Sequence, residues 1–238
     1  MEIYLSHDGD KAITDNMKKG GRIVHVVADS VWHIENSMVY TIIENPAKQR
    51  IEVVFRGSSS RFDWKQNIKT IKKKVKNPVK EMKETLPNIR IHRGFSEVLL
   101  ETDDRRKMND CTNDDYLPIM NEIIDQIIPL MKNGYRLWIT GHSLGGALAT
   151  LFSFYAATNT KILEFNGGPV TAYTFCSPKV GNKQFREAYQ YLEERGKLRH
   201  ARFHVQGDKG EILLSRWCFA WMSVILLKHV ILLKTTHQ

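Results

Sequence analysis

The segment around residue 143 restricts the fold of this chain more than any other feature. An apolar strand pattern at positions 135–140 runs directly into the sequence G-H-S-L-G-G at 141–146, and a largely apolar helix pattern follows at 147–157. Glycine is needed where a neighbouring strand and helix leave no room for a side chain. The spacing predicts a sharp turn between a buried strand and a buried helix, with the side chain of Ser143 projecting above a sheet.

Strand and helix patterns alternate along the rest of the chain. Strand patterns lie at 38–43, 51–55, 89–92, 172–176 and 201–205, and helix patterns lie at 119–131 and 181–195. This alternation predicts an α/β fold, with a mostly parallel central sheet and helices on both faces. A length of 238 residues suits one domain of this kind, so we expect a single domain over residues 1–238.

A serine on such a turn becomes a nucleophile when a base takes its proton and an acid holds the base in place. In sheets of this type the chain order is serine, then aspartate or glutamate, then histidine. Asp208 is the one aspartate after Ser143, and it closely follows a predicted strand. We therefore expect Asp208 to be the acid; the alternative is a solvated aspartate in a glycine-rich turn.

Two histidines follow Asp208, namely His229 and His237. His237 is the penultimate residue and is expected to fray. His229 has apolar neighbours that could shield an imidazole–carboxylate pair, so we assign it as the general base, with simple core packing as the alternative. His142 adjoins Ser143 on the turn, where neighbouring side chains diverge, and is therefore not the base.

An oxyanion intermediate needs N–H donors beside the nucleophile. One donor is expected to be the backbone N–H of Leu144, the residue after the nucleophile. A second candidate is Ser58, which follows the predicted strand at 51–55 directly after Gly57 and offers a backbone N–H and a hydroxyl. The alternative for Ser58 is an ordinary serine-rich strand end.

Five segments, taken in order, resemble the class 3 lipase family, the fungal triacylglycerol lipase type. They are F-R-G-S at 55–58, I-H-R-G-F at 91–95, T-G-H-S-L-G-G-A at 140–147, S-P-K-V-G-N at 177–182 and F-H-V-Q-G-D at 203–208. The resemblance implies an α/β-hydrolase fold, an acyl-ester substrate such as an acylglycerol, and no metal or organic cofactor. By position it also implies a second oxyanion donor at Ser58, an acid at Asp208 and a helical lid at about residues 59–71.

The tail departs from this pattern. The family usually continues after the acid with an aliphatic residue, Val and Pro, whereas K-G-E stands here at 209–211. An apolar run at 217–227 is too short to span a bilayer. Residues 209–238 are therefore atypical. This leaves two alternatives to an acylglycerol lipase: a lipid-binding protein with impaired catalysis, or a phospholipid or galactolipid acyl hydrolase.

Most of the formal net charge of +9 lies in one segment. Residues 61–93 hold eleven Lys or Arg against three Asp or Glu, which leaves eight of the nine net positive charges there. The lysines of its central part are Lys69, Lys72, Lys73, Lys74, Lys76, Lys80 and Lys83. No aromatic residues interleave them as a nucleic-acid platform would require. We therefore expect no nucleic-acid partner, and either peripheral contact with an anionic membrane or lipid-droplet surface or a solvated, mobile loop.

The cysteines and the N-terminus bear on the compartment. Cys111, Cys176 and Cys218 are odd in number and widely spaced, which predicts free thiols in a reducing compartment rather than a disulfide framework. The first residues lack a basic stretch followed by an apolar run, so no secretory signal is predicted. We expect a cytoplasmic or peripheral membrane protein, unless the true N-terminus lies upstream.

Overall fold

A computed structural model of the protein describes residues 22–27, 40–57, 71–101, 118–132 and 134–203. Its strands are β1 (Arg22–Val27), β2 (Tyr40–Asn45), β3 (Arg50–Phe55), β4 (Lys72–Lys76), β5 (Asn88–His92), β6 (Arg136–His142), β7 (Val170–Phe175) and β8 (Leu198–Phe203). Its α-helices are α1 (Arg93–Leu100), α2 (Ile119–Ile127), α3 (Leu144–Ala156), α4 (Thr160–Phe165) and α5 (Lys183–Glu194). Single turns of 3-10 helix lie at Pro46–Lys48, Lys80–Met82 and Ile128–Leu130.

Six of these strands form one sheet in the order β1-β2-β3-β6-β7-β8. Strands β3, β6, β7 and β8 run parallel, and β1 and β2 extend the sheet antiparallel beyond β3. Strands β4 and β5 form a separate antiparallel pair. The predicted α/β class with a mostly parallel sheet is therefore confirmed.

One face of this sheet carries the core. Alternate side chains along β3 and β6, among them Val53, Phe55 and Ile139, are buried on this face. Helix α3 packs on them, with the rings of Phe55 and Phe152 at a centroid distance of 5.6 Å. Because α3 is buried on nearly every side, its sequence is apolar all round rather than in one stripe. The part of the prediction that concerns the opposite face falls outside the described residues.

The main difference from the sequence prediction is strand β4. Lysine has a low strand propensity, and the lysine-rich segment gave no strand signal. The strand forms because it pairs with β5, whose Ile89 and Ile91 are fully buried, and because Val75 packs against the same core. The alternative of a mobile loop is thus wrong for β4. Strand β1 and helices α1 and α4 were also not predicted, and β2 and β8 lie two to three residues from their predicted positions.

Two further predictions reach beyond the described residues. The prediction of one domain over residues 1–238, and that of an atypical tail at 209–238, remain predictions. Within the described ranges, no helix combines the length and the hydrophobicity needed to cross a bilayer.

A chain of hydrogen bonds connects α3, α5, β8 and β7 beneath the sheet surface. The hydroxyl groups of Ser153 and Tyr189 are 3.0 Å apart, and the Tyr189 hydroxyl lies 2.9 Å from Nδ1 of His200. On its other side, Nε2 of His200 lies 2.8 Å from Oγ1 of Thr174. Ser153, Tyr189 and Thr174 are buried, so each of these polar groups depends on its neighbours for a partner.

The donor and the acceptor of each of these hydrogen bonds can be assigned by starting from Ser153. Ser153 donates its only hydroxyl hydrogen to the carbonyl oxygen of Thr150, so Tyr189 donates to Ser153. Tyr189 must then accept from Nδ1–H of His200, and Nε2 of His200 accepts from Thr174. This arrangement requires neutral His200. Burial, and secondarily the positive charge of Arg202, lower the pKa of His200 to about 4, from an ordinary histidine value of about 6.5.

We expect His200 to make the stability of the protein depend on pH. Between pH about 4 and about 6.5, the unfolded chain binds a proton at this position and the folded chain does not. The free energy of unfolding should therefore fall as the pH is lowered through this window, by at most about 1.4 kcal/mol per pH unit from this group. For the His200→Gln variant, the free energy of unfolding, measured with urea at several pH values, should depend less steeply on pH.

The difference between variant and unmodified protein isolates this effect, because burial raises the pKa of Glu193 and gives that group a contribution of opposite sign. Arg199→Gln, an exposed substitution on the same strand, is the matched control and should keep the original slope. An identical pH slope in His200→Gln and in the unmodified protein would contradict the assignment.

Candidate active site

Ser143 occupies the turn between β6 and α3, as the glycine spacing predicts. Its backbone has φ 52° and ψ −121°, a left-handed conformation that costs a residue with a side chain about 1–3 kcal/mol. The serine is the N-cap of α3, and its side chain makes no capping hydrogen bond to the helix. Its hydroxyl is thus held at the carboxyl end of the parallel strands, where ligands bind in sheets of this kind.

The glycines on both sides of Ser143 allow the backbones to touch. A Cβ atom at Gly141 would lie less than 3.0 Å from the carbonyl group of Gly145. A Cβ atom at Gly145 would lie equally close to the carbonyl oxygens of Phe55 and Arg56, at the end of β3. These positions therefore accept no larger residue, and strand β6, helix α3 and the end of β3 meet directly beneath Ser143.

Strand β7 holds the turn from the other side. The N–H of Ser143 donates to the carbonyl oxygen of Phe175 at 2.9 Å, and the N–H of Cys176 donates to Phe203 O at 2.8 Å. Cys176 itself has a φ of 48°. A Cβ atom at Gly146 would lie 2.9 Å from Cβ of Ser177, so the segment after β7 packs on the first turn of α3. This support was not predicted from the sequence, although Gly146, the third glycine of the motif, is a signal for it.

The oxyanion donors can be placed in part. Leu144 is the first residue of α3, and the first N–H groups of a helix have no acceptor within the helix. Its N–H therefore remains available beside Ser143. Ser58 lies outside the described residues, but Gly57 before it is described: a Cβ atom there would lie 2.9 Å from the carbonyl oxygen of His142. The chain that leads to Ser58 thus passes directly against the turn.

Asp208 and His229 also lie outside the described residues. Strand β8 is the neighbour of β7, and its last residue, Phe203, pairs with Phe175 at the same end of the sheet as Ser143. Asp208 follows five residues later in the sequence. The assignment of Asp208 as the acid and of His229 as the base stays a prediction.

His142 is buried beside Gly57, and burial lowers its pKa, which favours the neutral imidazole. It packs next to the chain that leaves β3, in keeping with a structural role. Across the described residues, no three His, Cys, Asp or Glu side chains cluster closely enough to hold a metal ion. The predicted lid at 59–71 lies outside the described residues except for Ile71, whose carbonyl oxygen accepts from Arg93 N–H at 2.9 Å.

Sequence comparison finds relatives among plant enzymes. The chain is 28% identical over 156 residues to phospholipase A1-IIgamma of Arabidopsis thaliana, covering 64% of this chain and 36% of that protein. It is 26% identical over 198 residues to phospholipase A1-II 5 of Oryza sativa subsp. indica, covering 79% of this chain and 41% of that protein. The chain therefore spans about two-fifths or less of the length of these relatives.

Structure comparison finds fungal lipases. The lipase of Rhizopus microsporus var. chinensis superposes with a TM-score of 0.51 at 21% identity, over 78% of this chain and 53% of that one. A fungal lipase–inhibitor complex, described as a model for interfacial activation, gives a TM-score of 0.50 at 19% identity, over 86% of this chain and 64% of that one. At these identities the likeness shows the α/β-hydrolase fold.

The family model for lipase (class 3) matches residues 52–208, from β3 to the predicted acid. This match extends over more than half of the 238 residues and includes the turn that carries Ser143. The chain therefore belongs to the class 3 lipase family.

Proposed function

We propose that this protein is a serine carboxylic-ester hydrolase that acts on acyl lipids through an acyl-enzyme on Ser143. The observation that carries the proposal is the positive φ of Ser143, whose neighbours Gly141 and Gly145 pack directly against backbone carbonyl groups. Strain of this kind persists only where the surroundings impose it, and it concentrates at functional sites. An idle turn serine at this position would be better replaced by glycine.

The proposed reaction has two halves. His229, oriented by Asp208, takes the proton of Ser143 as Oγ attacks the ester carbonyl carbon. The N–H groups of Leu144 and Ser58 stabilise the oxyanion, and its collapse expels the alcohol, which receives the proton from His229. Water, deprotonated by His229, then attacks the acyl carbonyl carbon. The bond to Ser143 Oγ breaks, Oγ takes the proton back from His229, and the fatty acid is released. No cofactor enters either half.

The substrate is an acyl lipid, and two classes are supported by different observations. The resemblance of the sequence motifs to the fungal triacylglycerol lipase type favours acylglycerols, whereas the plant relatives are named as phospholipases A1. Initial rates on emulsified tributyrin and on phosphatidylcholine labelled at the first acyl position separate them. A protein with impaired catalysis, the alternative raised by the atypical tail, would hydrolyse neither substrate and would not react with a fluorophosphonate.

The charge distribution favours an anionic lipid surface as the working environment. The loop at 176–182 begins at the carboxyl end of β7 beside Ser143, and it binds β5 through hydrogen bonds from His92 N–H to Val180 O and from Asn182 N–H to Arg90 O. The Lys72 end of β4 is therefore at the active-site end of the sheet. Lys69, which falls within the predicted lid at 59–71, lies outside the described residues.

The lysines between residues 69 and 83 do not all lie at the same end of the molecule. Glu81, in the 3-10 turn Lys80–Met82, pairs with Lys197 at the amino end of β8, which is the end away from Ser143. Lys80 and Lys83 thus lie towards the opposite end of the molecule from Lys72. We therefore restrict the proposed lipid contact to the lysines near the Lys72 end of β4.

Ser143→Ala should abolish ester hydrolysis while the protein remains folded. Loss of a triad nucleophile costs about 10⁴–10⁶-fold in rate. The measurement is turnover of p-nitrophenyl butyrate together with fluorophosphonate labelling and circular dichroism. Ser96→Ala, on α1 and outside the site, is the matched control and should keep both turnover and labelling. Turnover by Ser143→Ala within tenfold of the unmodified protein would refute the nucleophile assignment.

His229→Ala should inactivate the enzyme and His237→Ala should leave it active. The reason is the chain order of the triad together with the terminal position of His237. Both variants are assayed on p-nitrophenyl butyrate, with Asp208→Asn as a third variant that should lose about 10⁴-fold in turnover. If His237→Ala is the inactive variant, the roles of the two histidines are reversed.

Lys72→Gln/Lys74→Gln should weaken binding to vesicles that contain phosphatidylserine. Each basic residue near an anionic leaflet contributes about 1 kcal/mol, so the pair should lose about thirtyfold in affinity, and the effect should shrink as salt rises. Lys80→Gln/Lys83→Gln removes the same charge at the far end of the molecule and is the control in co-sedimentation. Equal losses in the two double variants would show that net charge alone, and not orientation, governs binding.

A further inference from the structure

Strand β4 presents its lysines on two faces with different surroundings. The face shared with Val75 turns towards the core, and there Lys73 pairs with Glu101 at 2.7 Å. Lys72, Lys74 and Lys76 lie on the other face, together with Arg90 of β5. In the part of the chain that the structure describes, none of these four cations has a carboxylate partner.

Lys74 and Arg90 stand directly opposite each other in the register of the two strands. Like charges at directly opposed positions destabilise an antiparallel pair. Neighbouring cations are compensated: Arg93 pairs with Glu97 and Lys197 with Glu81. Among the uncompensated cations of this face, Lys74 and Arg90 are the two that stand directly opposite each other, an arrangement that costs stability.

Protection of a sheet edge explains the positive charge of Lys74 but not that of Arg90. Lysines on an edge strand discourage pairing with another chain, and β4 is an edge strand of its two-stranded sheet. Strand β5 is not an edge, because β4 lies on one side and Ile91 forms a bridge with Gly181 on the other. Arg90 therefore needs another reason to be cationic.

The two cations line a shallow cleft of about 300 Å³. Its other polar walls are Asn88, Asn182 and Gln184, and no acidic side chain of the described residues lines it. Asn182 is fixed: its Oδ1 accepts from the N–H of Phe185 at 3.0 Å and from that of Arg90 at 3.2 Å. Its amide also donates to Oε1 of Gln184. The cleft therefore combines two charges with amide groups on a rigid frame.

We propose that this cleft binds the phosphate monoester group of an anionic lipid. A phosphate monoester carries about −1.5 to −2 charges at neutral pH, which matches two cations, and it offers three oxygens as acceptors. The planar guanidinium of Arg90 can donate to two of them, and the ammonium of Lys74 acts as a point charge. A phosphodiester carries one negative charge and leaves one cation uncompensated.

The lipid as the source of the phosphate rests on the proposed function. The wall residue Asn182 ends the loop at 176–182 that begins beside Ser143, so one continuous segment connects this wall of the cleft to the nucleophile. The wall residue Leu86 donates its N–H to the carbonyl oxygen of Met82, so the cleft extends from that segment towards the 3-10 turn at Lys80–Met82. A soluble phosphate ester has the same chemistry, and the experiment separates the two sources.

Binding is measured by co-sedimentation in the Ser143→Ala background, so that no lipid is hydrolysed and the result does not depend on catalysis. Phosphatidylcholine vesicles contain either phosphatidic acid or phosphatidylserine and are adjusted to the same zeta potential. The measured quantity is the ratio of the two affinities. Nonspecific electrostatic attraction to the vesicle surface is the same for both lipids and therefore cancels in this ratio. We expect about tenfold tighter binding to phosphatidic acid.

Lys74→Gln/Arg90→Gln should bring this ratio to about one, whereas Lys72→Gln/Lys76→Gln, on the same strand face and with the same loss of charge, should lower both affinities and keep the ratio. Unchanged thermal unfolding in the two double variants checks the fold. A ratio of one before substitution, or a preference that survives in Lys74→Gln/Arg90→Gln, would overturn the proposal.

Calorimetry with inorganic phosphate provides the second arm. Phosphate that binds only when Lys74 and Arg90 are present, together with a vesicle ratio of one, would assign the cleft to a soluble phosphate compound and overturn the headgroup assignment. Failure of the lipase proposal would appear separately, as absent p-nitrophenyl butyrate turnover by the protein that retains Ser143.

Discussion

The arrangement of the site depends on direct backbone contact between β6, α3 and the end of β3. Because Gly141 and Gly145 have no side chains, the helix approaches the sheet until each glycine packs directly against a carbonyl group of the facing element. The turn between them must then be tight, and Ser143 adopts positive φ as a result. The same contact carries the chain after Phe55 over the turn. A single steric constraint thus positions the nucleophile and the path to Ser58 together.

Apolar packing fixes α3 on the sheet. A chain of hydrogen bonds also connects α3 to β8, the strand before the predicted acid. Thr150 returns a hydrogen bond to Gly146 O in the first turn of α3, and Ser153 continues the chain to Tyr189 and His200. Buried polar networks that are fully satisfied are more directional than apolar contacts, since each donor requires one acceptor. β8, an edge strand among the described elements, is thereby held in register with β7 at the site end.

The parts of this structure that sequence predicts are those set by local sterics and periodicity. Glycines at 141 and 145 determine the turn, and the apolar run after them determines a buried helix. The parts that escape prediction depend on residues distant in sequence. Strand β4 forms because β5 pairs with it, Cys176 has positive φ just before Ser177 contacts α3, and the cleft is lined by Lys74, Arg90 and Asn182. Triad order is the main support for His229, whereas Asp208 also ends a segment that resembles the family, so His229 remains the least constrained member of the site.

Strand β5 connects the active site to the charged surface through its packing and its hydrogen bonds. Its inward side chains, Ile89 and Ile91, are fully buried and secure the strand to the core, while Arg90 between them faces the cleft. The carbonyl oxygen of Arg90 also accepts from the N–H of Asn182, in the segment that begins beside Ser143. An anion held by Arg90 would therefore have a fixed position relative to the nucleophile. Hydrolysis at a lipid surface requires such fixed geometry, because a reaction gains from binding only when the bond to be cleaved is oriented as well as retained.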